Sequence, residues 1–145
     1  MRVLGSFLLL GVFLSGCKPR SSTPPADAPA GPPTIADREW ALTSLGDNTA
    51  PLGNGGQPVT LTLQSSDTRA FGNAGCNRYS GPYTLSGDQL SFGPAMSTKM
   101  ACEQGMEVEM AYLAILNNVT SYQATDSSLT LSGTAGPLAR FRSAR

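Results

Sequence analysis

Residues 75–92, GCNRYSGPYTLSGDQLSF, contain the strongest fold signal in the chain. The segments Tyr79 to Leu85 and Gln89 to Phe92 flank the turn sequence Ser86-Gly87-Asp88, a pattern that is typical of a β-hairpin. Such short connections join antiparallel strands, because parallel strands require a long crossover. The stretch therefore predicts a domain that is built on antiparallel hairpins.

Further strand signals lie on both sides of this hairpin. Residues 59–63, VTLTL, alternate strictly between apolar and polar side chains, as a half-buried strand does. A second hairpin is predicted around residues 125–128, and the other predicted strand segments are 40–45, 69–72, 122–124, 129–131 and 138–142. We expect a mostly β (α+β) fold, a curled, barrel-like antiparallel sheet of about seven or eight strands.

One helix is predicted, from Gln104 to Val119. At about 100° per residue, one broad face of this helix is apolar, and it carries Met106, Tyr112, Leu113, Leu116 and Val119. We expect the helix to cover one opening or one face of the sheet. Glu109 falls near the middle of the apolar face, where a carboxylate is costly to bury unless it is paired or hydrogen-bonded.

The composition excludes several functional classes. Ten Lys and Arg residues balance ten Asp and Glu residues, which argues against a nucleic-acid binder that works through a basic surface. The sequence contains no His, so catalysis by Ser-His or Cys-His pairs and metal sites with His ligands are excluded. We expect no cofactor and no metal.

The first 16 residues have the pattern of a bacterial export signal. Arg2 precedes an apolar run from Val3 to Leu14, which is too short to span a bilayer. Leu14-Ser15-Gly16-Cys17 resembles the lipobox of bacterial lipoproteins, in which the Cys is lipidated and becomes the mature N-terminus. We therefore expect residues 1–16 to be a lipoprotein signal peptide and Cys17 to be the lipidation site. The alternative is an ordinary signal peptide followed by a chance Cys.

Residues 17–34 are predicted to be the lipidated Cys and a disordered, Pro-rich tether. Six Pro and no large apolar residue occur in residues 18–34, KPRSSTPPADAPAGPPT, so this segment cannot bury a core. The folded domain is predicted at residues 35–145. Lys18 follows the Cys, where Asp would resemble an inner-membrane retention signal. We expect a lipid anchor in the membrane at the periplasmic face of the outer membrane, or at the outer face of a single membrane in a monoderm host.

Cys76 and Cys102 are the two remaining cysteines. An even pair in an exported domain suggests a disulfide. Two buried free thiols are the alternative, and a zinc site is disfavoured because two Cys without His do not easily supply four ligands. We expect a Cys76–Cys102 bridge.

Several short motifs occur in order along the predicted domain: GCNRYSGPY at 75–83, LSFG at 90–93, STKMAC at 97–102 and MEVEMAYL at 106–113. This order resembles the META domain of HslJ-type bacterial lipoproteins, and the resemblance covers about residues 38–142. Glu103 is a departure, because family members often have Pro directly after the second Cys. The resemblance implies a small, mostly β envelope protein with a helix, associated with stress, antibiotic tolerance or secretion. It implies no catalytic residues.

Three residues are candidates for ligand binding: Asn77, Arg78 and Glu109. For Asn77, a structural role in a turn or in side-chain capping is favoured over ligand contact. For Glu109, we expect a buried hydrogen bond to backbone N–H groups or to a partner such as Arg78, and the alternative is a ligand-binding or signalling carboxylate.

Catalytic interpretations are weaker. A Ser97–Lys99 dyad would require a buried Lys and an oxyanion hole, and neither is visible in the sequence. Paired carboxylates for glycoside hydrolysis would have to come from Glu103, Glu107 or Glu109. Glu103 and Glu107 are explained more simply as acidic residues at a helix N-terminus.

These observations favour a non-enzymatic cell-envelope lipoprotein that acts as a binding or stabilising module linked to envelope stress or antibiotic tolerance. Its expected partners are the membrane, through the lipid anchor, and an envelope protein or a cell-wall component, with no nucleic acid. The alternative function is a lipoprotein inhibitor of a lysozyme-like hydrolase, and a hydrolase is the third hypothesis.

Overall fold

The computed structural model describes residues 34–49 and 51–144. Within these residues, eight strands form a closed antiparallel barrel, to which two short strands and one helix are added. The strands are β1 (Glu39–Leu45), β2 (Asn48–Thr49), β3 (Thr60–Gln64), β4 (Arg69–Asn73), β5 (Arg78–Ser86), β6 (Gln89–Phe92), β7 (Met96–Ser97), β8 (Ser121–Ala124), β9 (Ser128–Gly133) and β10 (Gly136–Ser143), and the helix is α1 (Met106–Leu116). The predicted signal peptide, Cys17 and all of the predicted tether except Thr34 lie outside the described residues.

The barrel closes because the first and last of its strands pair with each other. The strand order is β10-β9-β8-β6-β5-β4-β3-β1, and β1 also pairs with β10. In that closing pair Trp40 lies opposite Ser143, and the register shifts between Leu42 and Ser44. The short strands β2 and β7 pair with β1 and β5. The predicted mostly β, barrel-like fold is confirmed, and the predicted strand number agrees with the eight strands of the barrel.

The interior of the barrel is a packed hydrophobic core. Along β3, Leu61 and Leu63 point inward and are fully buried, whereas the alternate Thr60 and Thr62 are only half-buried. The same period-2 pattern supplies inward side chains from the other strands. The largest fully buried ones include Trp40, Leu90, Leu129, Leu131 and Phe141.

The helix covers one opening of the barrel. Tyr112 of α1 is fully buried and packs edge-to-face on Tyr79, with ring centroids 5.4 Å apart, and on Phe141, at 6.4 Å. Tyr79 donates a hydrogen bond to the carbonyl oxygen of Thr60 at 3.1 Å, so the Tyr112 hydroxyl donates to the Tyr79 oxygen at 2.7 Å. Tyr112 belongs to the same buried core as the inward side chains of the barrel. Because the barrel wall is closed, α1 can reach that core only through an opening.

The helix is shorter than predicted, and its buried face is narrower. Gly105 has a φ of +87°, a left-handed conformation that cannot continue a helix toward Gln104. The side chain of Met106 is 38% exposed, so its predicted place on the buried face is wrong. Glu109, Tyr112 and Leu116 form the buried face of α1 instead. None of the helices in residues 34–49 and 51–144 has the length and apolar character needed to cross a membrane.

We expect the domain to lose stability as the pH rises above 10. Burial raises the pKa of Tyr79 and of Tyr112 well above the usual value of 10.0. Below pH 10 both hydroxyls are protonated in the folded and in the unfolded chain, so stability does not depend on their titration. Above pH 10 the unfolded chain loses these protons first, and the free energy of unfolding falls by about 1.4 kcal/mol per pH unit for each retained proton.

Urea unfolding at pH 9, 10 and 11 measures this fall. The variant Tyr112→Phe removes one of the tyrosines with a raised pKa, so its stability should decline less steeply over this range than that of the wild type. Tyr122→Phe, at a less buried tyrosine on β8, is the matched control and should keep the wild-type slope. A wild-type stability that is unchanged between pH 9 and pH 11 would contradict the prediction.

Candidate functional site

Asn77 and Glu109 lie together beneath the start of α1. Asn77 immediately precedes β5, and the side chains of Asn77 and Glu109 are 2% and 6% exposed. The backbone N–H of Asn77 donates to Glu109 Oε2 at 2.7 Å, and Asn77 Nδ2 donates to Oε2 at 3.1 Å and to Oε1 at 3.3 Å. The structure therefore gives Glu109 the expected backbone N–H partner. Its side-chain partner is Asn77 and not Arg78, which was named as an example of such a partner.

The Asn77 amide also holds the segment that follows β7. Its Oδ1 accepts hydrogen bonds from the Met100 N–H at 2.8 Å and from the Thr98 hydroxyl at 2.9 Å, and its Nδ2 donates to the Met100 carbonyl oxygen at 3.2 Å. An amide can do this because it carries a donor and an acceptor on one planar group. Asn77 thus joins α1, the start of β5 and residues 98–100 in one buried network.

The predicted disulfide is confirmed and lies beside this network. Cys76 is bonded to Cys102, with their Cα atoms 5.9 Å apart. Because Cys76 precedes Asn77 and Cys102 follows Met100 by two residues, the bridge and the Asn77 amide hold the same segment against the barrel.

A glycine allows the helix to approach this closely. Gly75 has a φ of +133°, and a Cβ at that position would lie 2.8 Å from the Gly105 carbonyl oxygen and 3.2 Å from the Glu109 nitrogen. A side chain would therefore push the first turn of α1 away from the loop that precedes β5. The short, Gly-rich approach to β5 is what brings the Glu109 carboxylate within reach of Asn77.

Arg78 lies on the other side of β5, because successive residues of a strand point to opposite faces. It lines a cleft of about 530 Å³ on the outer surface of the barrel, which we call the sheet-side cleft. Strand pairing assembles this cleft, since Glu39 lies opposite Thr62, Thr62 lies opposite Phe71, and Asn73 lies opposite Arg78. Its main lining residues are Glu39, Thr60, Thr62, Phe71, Asn73 and Arg78.

The sheet-side cleft contains one cationic and one anionic side chain, Arg78 and Glu39. Among the residues that the structure describes, the Arg78 guanidinium and the Glu39 carboxylate make no hydrogen bond and no ion pair. The Phe71 side chain is 38% exposed. The cleft therefore offers a cation, a carboxylate, threonine hydroxyls and an aromatic ring to a ligand. Our sequence reasoning missed Glu39 and Phe71, because only the strand register shows that they are neighbours of Arg78.

The residues considered for catalysis do not form a catalytic arrangement in the described part of the chain. Ser97 and Lys99 line a second cleft of about 340 Å³ between residues 97–101 and the start of α1, the helix-side cleft. The Lys99 side chain is exposed, and no hydrogen bond joins it to Ser97 in the described residues. Glu103 and Glu107 are exposed, whereas Glu109 is buried.

Metal ligands of the usual kinds are not clustered either. Across residues 34–49 and 51–144, no group of three or more Cys, Asp or Glu side chains could hold a metal ion. Cys17, the predicted lipidation site, is outside the described residues.

Comparison with solved structures identifies proteins of the same fold. A protein from Burkholderia xenovorans with an NMR structure is 31% identical, with a TM-score of 0.63, and the match covers 88% of this chain and 99% of that chain. A second NMR structure is 21% identical, with a TM-score of 0.57 and coverages of 74% and 90%. The crystal structure of a DUF4847 family protein from Bacteroides vulgatus is 14% identical, with a TM-score of 0.52 and coverages of 75% and 93%.

The family assignment rests on the sequence of the whole domain. No curated protein matches the chain at a significant level. The family model of the META domain matches residues 33–145, which include the entire barrel and its helix. The chain therefore belongs to the META domain family, which is not a known family of enzymes.

Proposed function

We propose that the protein is a lipid-anchored binding module of the bacterial cell envelope, which holds a cell-wall fragment in the sheet-side cleft without catalysing a reaction. The observation that carries the proposal is that Arg78 and Glu39, which pair with no residue in the described part of the chain, lie in one cleft with the exposed ring of Phe71. The volume of about 530 Å³ falls within the range of roughly 300–1,000 Å³ that is usual for small-ligand sites.

The chemistry of the cleft matches a glycan that carries a peptide. A guanidinium forms paired hydrogen bonds with a carboxylate, and a carboxylate such as Glu39 accepts hydrogen bonds from amines and hydroxyls. The exposed face of an aromatic ring supports the apolar face of a sugar. The polymer of bacterial cell walls presents sugar hydroxyls, free carboxylates and free amines in one short unit. It therefore carries a binding partner for each polar or aromatic group of the cleft.

Binding is favoured over hydrolysis because the carboxylates are separated. Glycoside hydrolysis uses two carboxyl groups on opposite sides of the scissile bond, and Glu39 is the single carboxylate among the residues that line the sheet-side cleft. The oxygens of Glu109 already accept hydrogen bonds from Asn77. We therefore assign Glu109 a structural role.

The proposed location depends on the first 34 residues. Lipidation at Cys17 would fix the chain in the membrane, and residues 18–34 would allow the domain to reach up to roughly 50 Å in polyproline II form. We place the anchor at the periplasmic face of the outer membrane, where the domain would face the cell wall. A module that stabilises contact between wall and membrane would explain a role in envelope stress or antibiotic tolerance.

Mass spectrometry of the mature N-terminus tests the anchor, and an unacylated chain that retains residues 1–16 would contradict it.

Titration with a soluble disaccharide–tetrapeptide from digested cell wall tests the binding proposal. In isothermal calorimetry with the full mature chain, Arg78→Ala should raise the Kd by about 10-fold or more, because a charge-assisted hydrogen bond contributes about 1.5–3 kcal/mol. Arg140→Ala removes the same charge from an exposed position on β10 that does not line the cleft. This control should bind with the wild-type Kd.

Two results would contradict the proposal. One is a wild-type chain that does not bind the fragment, and the other is an Arg78→Ala variant that binds as tightly as the wild type. Recovery of a lysozyme-like hydrolase from detergent-solubilised envelope, lost on Arg78→Ala, would favour the alternative function of a hydrolase inhibitor.

A further inference from the structure

Four methionines are exposed in the described part of the chain. The side chains of Met96, Met100, Met106 and Met110 are 73%, 63%, 38% and 63% exposed, although methionine is usually buried. The other exposed large apolar side chains of the described residues are Leu52, Phe71 and Leu85, which belong to other segments. The large apolar side chains among the described residues that line the helix-side cleft are both thioethers, those of Met100 and Met106.

One of these thioethers, that of Met106, lies near two of the others. Met100 and Met106 both line the helix-side cleft. Met106 and Met110 are four residues apart in α1, so their side chains lie on the same helix face with Cβ atoms roughly 5–6 Å apart. The hydrogen bonds of Asn77 to Met100 and to Glu109 fix the backbone of the Met100 segment against the first turn of α1.

We propose that Met100, Met106 and Met110 form a binding site for one soft monovalent metal ion, Cu(I) or its analogue Ag(I). Thioether sulfur selects Cu(I) among the metals available to proteins. Methionine has three rotatable bonds, so three side chains that start from a fixed helix and a fixed loop can converge on one ion. Zn(II) and Cu(II) lack their usual nitrogen and thiolate ligands here, because the sequence has no His and the domain's two Cys are joined in the disulfide.

The charges around the site suit a monovalent ion. Glu109 lines the helix-side cleft, and Glu107 lies between Met106 and Met110 in the sequence of α1. Lys99 lines the same cleft and opposes a cation, but its side chain is exposed to solvent. The site shares no residue with the sheet-side cleft, so it does not depend on the proposed binding of cell-wall fragments.

Titration of the full chain with Ag(I) in chloride-free buffer tests the site. The chain should carry Cys17→Ser, because a free thiol outside the disulfide would compete for the ion. With ¹³C-labelled methionine methyl groups, we expect saturation at one Ag(I) per chain and chemical-shift changes at Met100, Met106 and Met110. Cu(I), titrated anaerobically against a competing chelator, should give the same stoichiometry.

Leucine variants separate a metal site from an apolar surface, because Met→Leu keeps the apolar volume and removes the sulfur. Met100→Leu, Met106→Leu and Met110→Leu should each weaken Ag(I) binding by about 10-fold or more, with unchanged thermal unfolding. Met96→Leu is the matched control, since Met96 is exposed on β7 and lies neither in the helix-side cleft nor on α1, and it should bind as the wild type does. The proposal is wrong if the wild-type chain does not bind Ag(I), or if the three variants bind it with the wild-type affinity.

Discussion

Asn77→Asp should destabilise the domain by about 3 kcal/mol or more at pH 7, although the new side chain has almost the same shape. Asn77 Nδ2 lies 3.1 Å and 3.3 Å from the two oxygens of Glu109. Replacing that NH₂ group with an oxygen sets two carboxylates against each other in a buried position. Disrupting a buried charged group in this way costs about 3–5 kcal/mol, because neither charge can be solvated.

The size of this effect should depend on pH in a way that identifies its cause. At low pH one of the two carboxyl groups of the variant binds a proton, and the O–H can donate the hydrogen bond that the Asn77 amide donates in the wild type. The difference in unfolding free energy between wild type and variant should therefore be small near pH 4 and should grow as the pH rises. Urea unfolding of both proteins between pH 4 and pH 8 measures it.

A compensating substitution distinguishes charge repulsion from simple damage to the fold. In the double variant Asn77→Asp with Glu109→Gln, the new amide at position 109 can donate to the new carboxylate at position 77, and one negative charge remains. This variant should recover most of the lost stability at pH 7. An Asn77→Asp chain as stable as the wild type would show that the Asn77–Glu109 network does not hold α1 on the barrel.

The main strands could be predicted because each carries its own signal. Alternation at residues 59–63 and the turn at Ser86-Gly87-Asp88 are local patterns, and they placed β3 and the β5–β6 hairpin correctly. The two-residue strands β2 and β7 are too short to show a period. The start of α1 was predicted two residues early, because the left-handed conformation of Gly105 depends on its packing against Gly75.

The candidate sites were harder to predict, because they depend on strand register. A buried role for Glu109 followed from its place on the apolar helix face, but Asn77 and Arg78 are adjacent in sequence and face opposite sides of the barrel wall. Which of the two meets α1 could not be decided without knowing which way β5 points its side chains. The sheet-side cleft requires the register of four strands, since Glu39 and Arg78 are far apart in the sequence.

Removing the disulfide with Cys76→Ser and Cys102→Ser should lower the free energy of unfolding by about 3.6 kcal/mol. The bridge joins residues separated by 26 positions, and the chain-entropy model gives about this value for a loop of such length. Because small domains are stable by only about 5–15 kcal/mol, this is a large share of the total. Urea unfolding of the two chains, both with Cys17→Ser, measures the loss. The unfolded, non-reduced Cys17→Ser chain that keeps the bridge should not react with a thiol reagent.

The bridge and the Asn77 network should not act independently, because both hold residues 98–102 against the barrel. Once the disulfide is removed, this segment can detach from the barrel. The detached segment no longer bonds to residue 77, whether that residue is Asn or Ala. Adding Asn77→Ala to the bridge-free chain should therefore destabilise it by less than Asn77→Ala destabilises the bridged chain. Distant, independent substitutions add to within about 0.5 kcal/mol. Additivity at that level would mean that the hydrogen bonds of Asn77 keep the segment docked without the disulfide.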